Sequence, residues 1–246
     1  MTQIGFHAEA MLLAMMILLT MSLFPAFGLM FILMGVIVFP AFLLIRSIVN
    51  LAVIPVGLME LASDQRARVN HALEHATVNI LEEKAGPQPG TIGYATADGF
   101  WLVTDLPDTL VARALSEAWK RLEAGESELA IHSRCGTTLA AGQLLFSALF
   151  MAAFLFSGGF SFTGLLIAAA AGSLLSPWTG AFLQKHLTTS ADVSGIRPVG
   201  ISQISQGGLL RFLPMRRRRS LFISTAPIDE VMARKCNQHW GVWTLG

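Results

Sequence analysis

The stretch Ala10–Ile45, AMLLAMMILLTMSLFPAFGLMFILMGVIVFPAFLLI, holds no charged residue, and neither does Thr137–Gln184. A helix crossing a bilayer needs about 20 apolar residues, so each stretch is too long for one crossing and fits two. The pattern predicts an α-helical integral membrane protein with two transmembrane helical hairpins. The four spans fall at roughly 9–25, 28–46, 138–157 and 162–184. The hairpins turn near Pro25–Gly28 and near Ser157-Gly158-Gly159, residue types that end or bend helices. The first segment lacks a basic leader and runs straight into more apolar sequence, which argues against a cleaved signal peptide.

Working outward, the 246 residues are 53% hydrophobic and 13% charged, with mean hydropathy +0.58. Soluble domains carry about twice that share of charge. Neither hairpin tip has a Lys or Arg, whereas Arg46, Arg66, Arg68, Lys185, Arg197, Arg211 and Arg216–Arg219 lie toward the opposite ends. The positive-inside rule then places both termini and residues 47–136 in the cytoplasm, with the chain in the bacterial cytoplasmic (inner) membrane. A net charge of +1 gives no field to recruit nucleic acid. Cys135 and Cys236 fall in cytoplasmic segments, where a structural disulfide is not expected.

The expected organisation is hairpin 1 (1–46), a small cytoplasmic α+β segment (47–136), hairpin 2 (137–184), and a basic cytoplasmic tail (185–246) packing on the α+β segment. Residues 47–61 either extend the second span or lie along the interface. Asp64–Lys84 reads as a helix ended by Gly86-Pro87. Thr91–Ala95 and Phe100–Thr104 read as a strand hairpin around Asp98-Gly99. A helix follows Asp105-Leu106-Pro107 and runs to about Glu123, and Glu128–His132 reads as a further strand. After Lys185 the chain is loop-rich, with a strand at Ser220–Ser224 and a helix at Pro227–His239. Trp101–Pro107 and Leu221–Pro227 are alike, each a strand, a proline and a helix, which suggests that both units share one sheet.

The chemistry concentrates in His71-Ala72-Leu73-Glu74-His75. On a helix, His71 and His75 lie one turn apart with Glu74 between them on the same side, the arrangement a catalytic divalent metal uses. The expected metal is zinc or another divalent transition metal. His71 and His75 bind it, and Glu74 acts as general base on metal-bound water. The third ligand comes from His132 or Cys135, just ahead of the third span, the other being a fourth ligand or positioning substrate. A helix N-terminus there favours the thiolate, and Arg134 is placed to hold a carboxylate or phosphate. Taken alone, an i,i+4 histidine pair is as readily a solvated helix face; the second donor cluster raises the case for metal. Cys236-x-x-His239 reads as ordinary helix surface, His186 as interfacial, and His7 as uninformative. His71 and His75, one turn apart, cannot ligate opposite faces of a haem.

The paired motifs, His71-Ala-Leu-Glu74-His75 and then His132-Ser-Arg134-Cys135-Gly136-Thr137 before a span, resemble an uncharacterised bacterial multi-spanning membrane family, commonly labelled a predicted metal-dependent enzyme. Its members read His-Gly-Ala-Glu-His-Lys and His-Pro-Arg-Cys-Gly-Thr. The resemblance covers roughly residues 68–155. It implies site roles for His71, Glu74, His75, His132, Arg134 and Cys135. Ala76 and Ser133 depart from the pattern. The His-x-x-Glu-His order also matches inverted zincin peptidases, which would take Glu123, Glu126 or Glu128 as third ligand; this is chemical analogy only.

Three functional classes follow. The leading one is a membrane-embedded zinc hydrolase at the cytoplasmic surface, acting on a peptide, a lipid or an amphiphilic cofactor precursor. The second is a non-catalytic subunit of a membrane complex with a four-ligand structural metal (His71, His75, His132, Cys135). The third is a thiol enzyme with Cys135 as nucleophile and His132 or His75 as base. The lipid bilayer is a partner in each, with anionic lipids meeting Arg216–Arg219. Small residues in the fourth span permit tight packing within the bundle, with a membrane protein partner, or in a homo-oligomer. No ionisable residue is expected mid-span, which argues against an ion pathway.

Overall fold

A computed structural model describes residues 11–12, 14–19, 22, 25–86, 91–204 and 219–230. Helix α1 (Pro25–Ser63) is followed by α2 (Gln65–Ala85), strands β1 (Ile92–Thr96) and β2 (Gly99–Thr104), and α3 (Asp108–Glu123). A 3-10 turn at Ser127–Ala130 leads to α4 (Gly136–Phe156) and α5 (Phe162–Leu183). A π turn (Gln184–Thr188) and strands β3 (Ile196–Ile204) and β4 (Arg219–Pro227) complete the described fold. The chain is thus mostly helical with a small sheet.

Among the described residues, three helices are long and apolar enough to cross a membrane: Phe27–Ser63, Gly136–Phe156 and Phe162–Thr188. Residues 11–12, 14–19 and 22, where a further span is expected, are helical. The rest of that segment, with His7, lies outside the described residues. Also outside are Arg211, Arg216–Arg218, Cys236 and His239; of the expected helix Pro227–His239, residues 228–230 are described as helical.

Helix α1 runs unbroken through residue 46. Its 39 residues contain Pro40 and Pro55 without ending, so residues 47–61 continue the second apolar helix. At 1.5 Å per residue it is about 58 Å long, nearly twice the hydrocarbon core. Asn50 Nδ2 donates to Ser147 Oγ at 3.1 Å, and Ser47 is fully buried. That contact sets residue 50 against the middle of α4, so the 47–61 portion lies beside the second hairpin. Arg46, expected at a span end, sits exposed near the middle of the continuous helix.

A single residue, Asp64, separates α1 from α2. Its carboxylate accepts the backbone N–H groups of Arg66 (2.9 Å) and Ala67 (3.1 Å), a helix N-cap. Gly86, at φ 76°, ends α2, and its N–H reaches the Glu82 carbonyl at 3.0 Å. Helix α2 is buried on nearly all sides from Ala67 to Leu81. Leu73, Ile80 and Leu81 join Phe100, Leu102 and Ile223 in the core with α3. The same helix buries Asn70, His71, Glu74, His75 and Thr77, a polar stripe that needs a reason.

The sheet is antiparallel throughout, in the order β1-β2-β4-β3. The two alike segments are neighbours in it, with Trp101 opposite Phe222. Strand β3 occupies sequence expected to be loop. Glu128–His132, expected as a strand, begins in the 3-10 turn and pairs with no strand among the described residues. Its carbonyls are taken by α2 instead: Asn79 Nδ2 donates to Leu129 and Ile131 at 3.0 Å each. Arg219 pairs with Asp108 at 3.2 Å, tying β4 to α3.

Helices α4 and α5 form the expected second hairpin. A Cβ on Gly180 would come within 2.7 Å of Thr138 Cα, and one on Gly172 within 3.0 Å of the Gly142 carbonyl. The small residues therefore let the two backbones nearly touch.

Candidate metal centre

Donor atoms of His71, His75 and Cys135, all buried, lie within 4.8 Å of one another. His71 and His75 come from α2, and their ring centroids are 4.3 Å apart. Cys135 caps the N-terminus of α4, where its Sγ accepts the Thr137 N–H at 3.3 Å. The structure thus joins the two motifs that 56 intervening residues separate in sequence. His71 Nε2 stands 3.3 Å from Cys135 Sγ. Ligands of one tetrahedral zinc lie about 3.6 Å apart for an N and an S donor, so the pair is spaced for a shared cation.

The two imidazoles are held in defined tautomers. His71 Nδ1 is 3.0 Å from the Thr188 carbonyl, and His75 Nδ1 is 2.8 Å from the Ala130 carbonyl. A carbonyl only accepts, so both Nδ1 atoms carry the proton and both Nε2 lone pairs face the site. Metal-binding histidines show this backing bond as a rule. His75 Nε2 is buried with no hydrogen-bond partner. An orphaned buried acceptor is costly, and a cation at the triad would satisfy it. The residues present fit a divalent transition metal.

Burial favours the neutral form of each of these groups. It lowers His71, partly offset by the Thr188 carbonyl, and lowers His75 well below the ordinary range, with His71 adding to the effect. Burial likewise raises the Cys135 thiol against the Thr137 N–H, which favours thiolate. Glu74 is pushed up to about 8 by burial. Its Oε2 lies 4.0 Å from His71 Nε2, beside the triad and outside it.

His132 and Arg134, both expected at the site, are placed differently. His132 is outside the triad: its Nδ1 is 2.8 Å from Asn79 Oδ1, and its ring centroid is 6.0 Å from that of His75. Arg134 pairs with Glu82. Both still line a cavity of about 610 Å³ that the triad's His71 and Cys135 and the carboxylate of Glu74 also face. The carboxylates expected by analogy are elsewhere. Glu126 pairs with Arg121 at 2.7 Å, Glu128 with Lys185 at 3.7 Å, and Glu123 is exposed.

Three supports escaped sequence reasoning. Gly93 in β1 leaves room for Glu74: a Cβ there would lie 1.8 Å from Glu74 Oε1. An isolated glycine inside a strand was a readable sign of close approach. Gln184 accepts the His132 N–H at 2.8 Å and donates to Thr138 Oγ1 at 3.0 Å. Thr188 offers its carbonyl from the π turn, for which the sequence carried no signal.

A family model for a domain of unknown function (DUF6391) matches residues 66–201, a range that holds the whole triad. An uncharacterized protein of Picosynechococcus sp. is 36% identical over 152 residues, covering 54% of this chain and 69% of that protein. No solved structure matches the chain.

Proposed function

We propose that this chain, which belongs to the DUF6391 family and takes no assigned activity from it, is a membrane-bound metal-dependent hydrolase working at the cytoplasmic face of a bacterial inner membrane. The observation that carries the reading is three converging donors, two of which (His71 and Cys135) line a cavity together with the buried Glu74, which stands outside the triad. Catalytic zinc sites take three protein ligands and leave a position open; structural sites close with four. A bound divalent cation would supply Lewis acidity and lower the pKa of water toward about 7.

The chain's own residues then have distinct work. His71, His75 and Cys135 would hold the cation, and the Thr188 and Ala130 carbonyls fix the imidazoles. Glu74, which a cation held there would favour as carboxylate, would take a proton from water and deliver it to the leaving group. Water oxygen bonds to the acyl carbon, the bond to the leaving nitrogen or oxygen breaks, and no redox change occurs. Arg134 and His132, on the cavity wall, orient an anionic part of the substrate. The bilayer is the partner of the apolar helices, with anionic lipid headgroups against Arg216–Arg219.

Elemental analysis of the purified full chain tests the site. We expect one transition-metal ion per chain, lost in His71→Ala, His75→Ala and Cys135→Ala. Glu74→Gln keeps the metal and loses hydrolysis of para-nitrophenyl acetate by about 100-fold or more. Undiminished metal in the three ligand variants, or undiminished hydrolysis in Glu74→Gln, sinks the reading. The second reading, a structural site in a non-catalytic subunit, draws on the nearness of His132 as a fourth ligand.

A further inference from the structure

The cavity at the triad is lined by two chemically different sets of residues. His71, Glu74 and Cys135 line it together with His132, Arg134 and the β1 residues Gly93 and Tyr94; Ile54, Leu58 and Leu61 of α1 and Leu139 of α4 give it an apolar lining. Ile54, Leu58 and Leu61 recur at i, i+4 and i+7, so they share one helix face. From Val53 to Leu61 that wall extends about 12 Å along α1. Val53 and Leu139 line the cavity and are also 61% and 68% exposed. Both stand on helices apolar enough to cross a membrane. The cavity thus joins exposed apolar positions on two helices apolar enough to cross a membrane to the metal donors His71 and Cys135.

Resting on the hydrolase reading, we infer that the site takes an acyl amphiphile from the membrane. Its apolar chain lies between the C-terminal portion of α1 and the first turns of α4, and its acyl carbon sits at the triad. A wholly polar substrate would leave this wall wet and unused, whereas an acyl chain gains about 25 cal/mol for each Å² of apolar surface it buries. Gly57 sits within the apolar wall, and a Cβ there would meet no atom within 4 Å. A bulky side chain at 57 would occupy the groove without touching the metal donors.

The test uses the full chain in phosphatidylcholine nanodiscs with a palmitic acid carrying a terminal diazirine. Photolabelling is expected at residues 53–61 and near Leu139. It should fall at least fivefold in Gly57→Phe, while labelling of the exposed α5 residues Trp178 and Phe182 and the metal content stay unchanged. Val53→Gln, a substitution at the exposed mouth, should weaken groove labelling as well and guards against misfolding of the first variant. In parallel, kcat/KM for para-nitrophenyl esters should rise at least tenfold from acetate to palmitate, with the gain lost in Gly57→Phe. Equal groove labelling in wild type and both variants overturns the inference, and so does acetate hydrolysis with no chain-length preference; the latter leaves the hydrolase standing. Groove labelling lost in the variants, with full metal and no ester hydrolysis, supports the amphiphile and overturns the hydrolase.

Discussion

At the residue scale, the buried polar stripe of α2 is explained atom by atom. Asn70 donates to the Thr96 carbonyl at 2.7 Å and accepts from Thr225 at 2.8 Å, so it serves the sheet. Asn79 serves the 129–132 segment. His71 and His75 spend Nδ1 on carbonyls and keep Nε2 for the site. This division predicts that His132→Ala keeps stoichiometric metal where His75→Ala loses it, as read by elemental analysis. Metal loss in both would make His132 a ligand and favour the structural reading. Gly93→Ala drives a methyl group into the Glu74 carboxylate. Overpacking of this kind costs about 1–3 kcal/mol, so a lower melting temperature is expected, together with a fall in hydrolysis that exceeds any fall in metal content.

At the element scale, what matters is how helix ends are fixed, because the triad is assembled from one helix interior and one helix start. Asp64 sets where α2 begins, and Asp64→Ala should cost about 1 kcal/mol, measured as a shift in thermal unfolding with metal retained. The π turn after α5 is the other control point. Gln184 is fully buried and spans from the His132 backbone to Thr138. Gln184→Ala leaves the part-buried His132 N–H without its partner, at about 1 kcal/mol. It should also loosen the chain just ahead of Cys135, so metal affinity falls along with stability. Unaltered affinity would show that the α4 start is held by other contacts.

For the whole molecule, the hairpin α4–α5 carries Cys135 to α2, so helix packing within the apolar part determines whether the centre forms. Gly180→Ile would push against Thr138 Cα, three residues from Cys135. We expect loss of metal by elemental analysis. Gly159→Ala at the hairpin tip, where a Cβ meets nothing within 4 Å, should change neither metal nor melting temperature. The proposed orientation predicts that a reporter fused at the 157–159 tip is active on the side opposite a reporter fused at the N-terminus.

Much of this was written in the sequence. Charge-free runs too long for one crossing marked the apolar helices, because burial in lipid demands uninterrupted hydrophobicity. The i,i+4 spacing placed His71 and His75 on one face, because helix geometry is local. The likeness of Trp101–Pro107 to Leu221–Pro227 announced strands that do pair. What only the tertiary structure decided was which distant groups meet. His132 and Cys135 are three residues apart and looked equivalent as donors; the turn into α4 sends the thiol to His71 and the imidazole to Asn79. Residues 128–132 looked extended because their side-chain pattern allows it, yet their carbonyls were claimed by α2. The glycine inside β1 marked a close approach, but only folding decided that Glu74 fills the space; Gln184 and Thr188 contribute through amide and backbone contacts to distant segments, and no local pattern in a chain encodes a partner that only folding brings near.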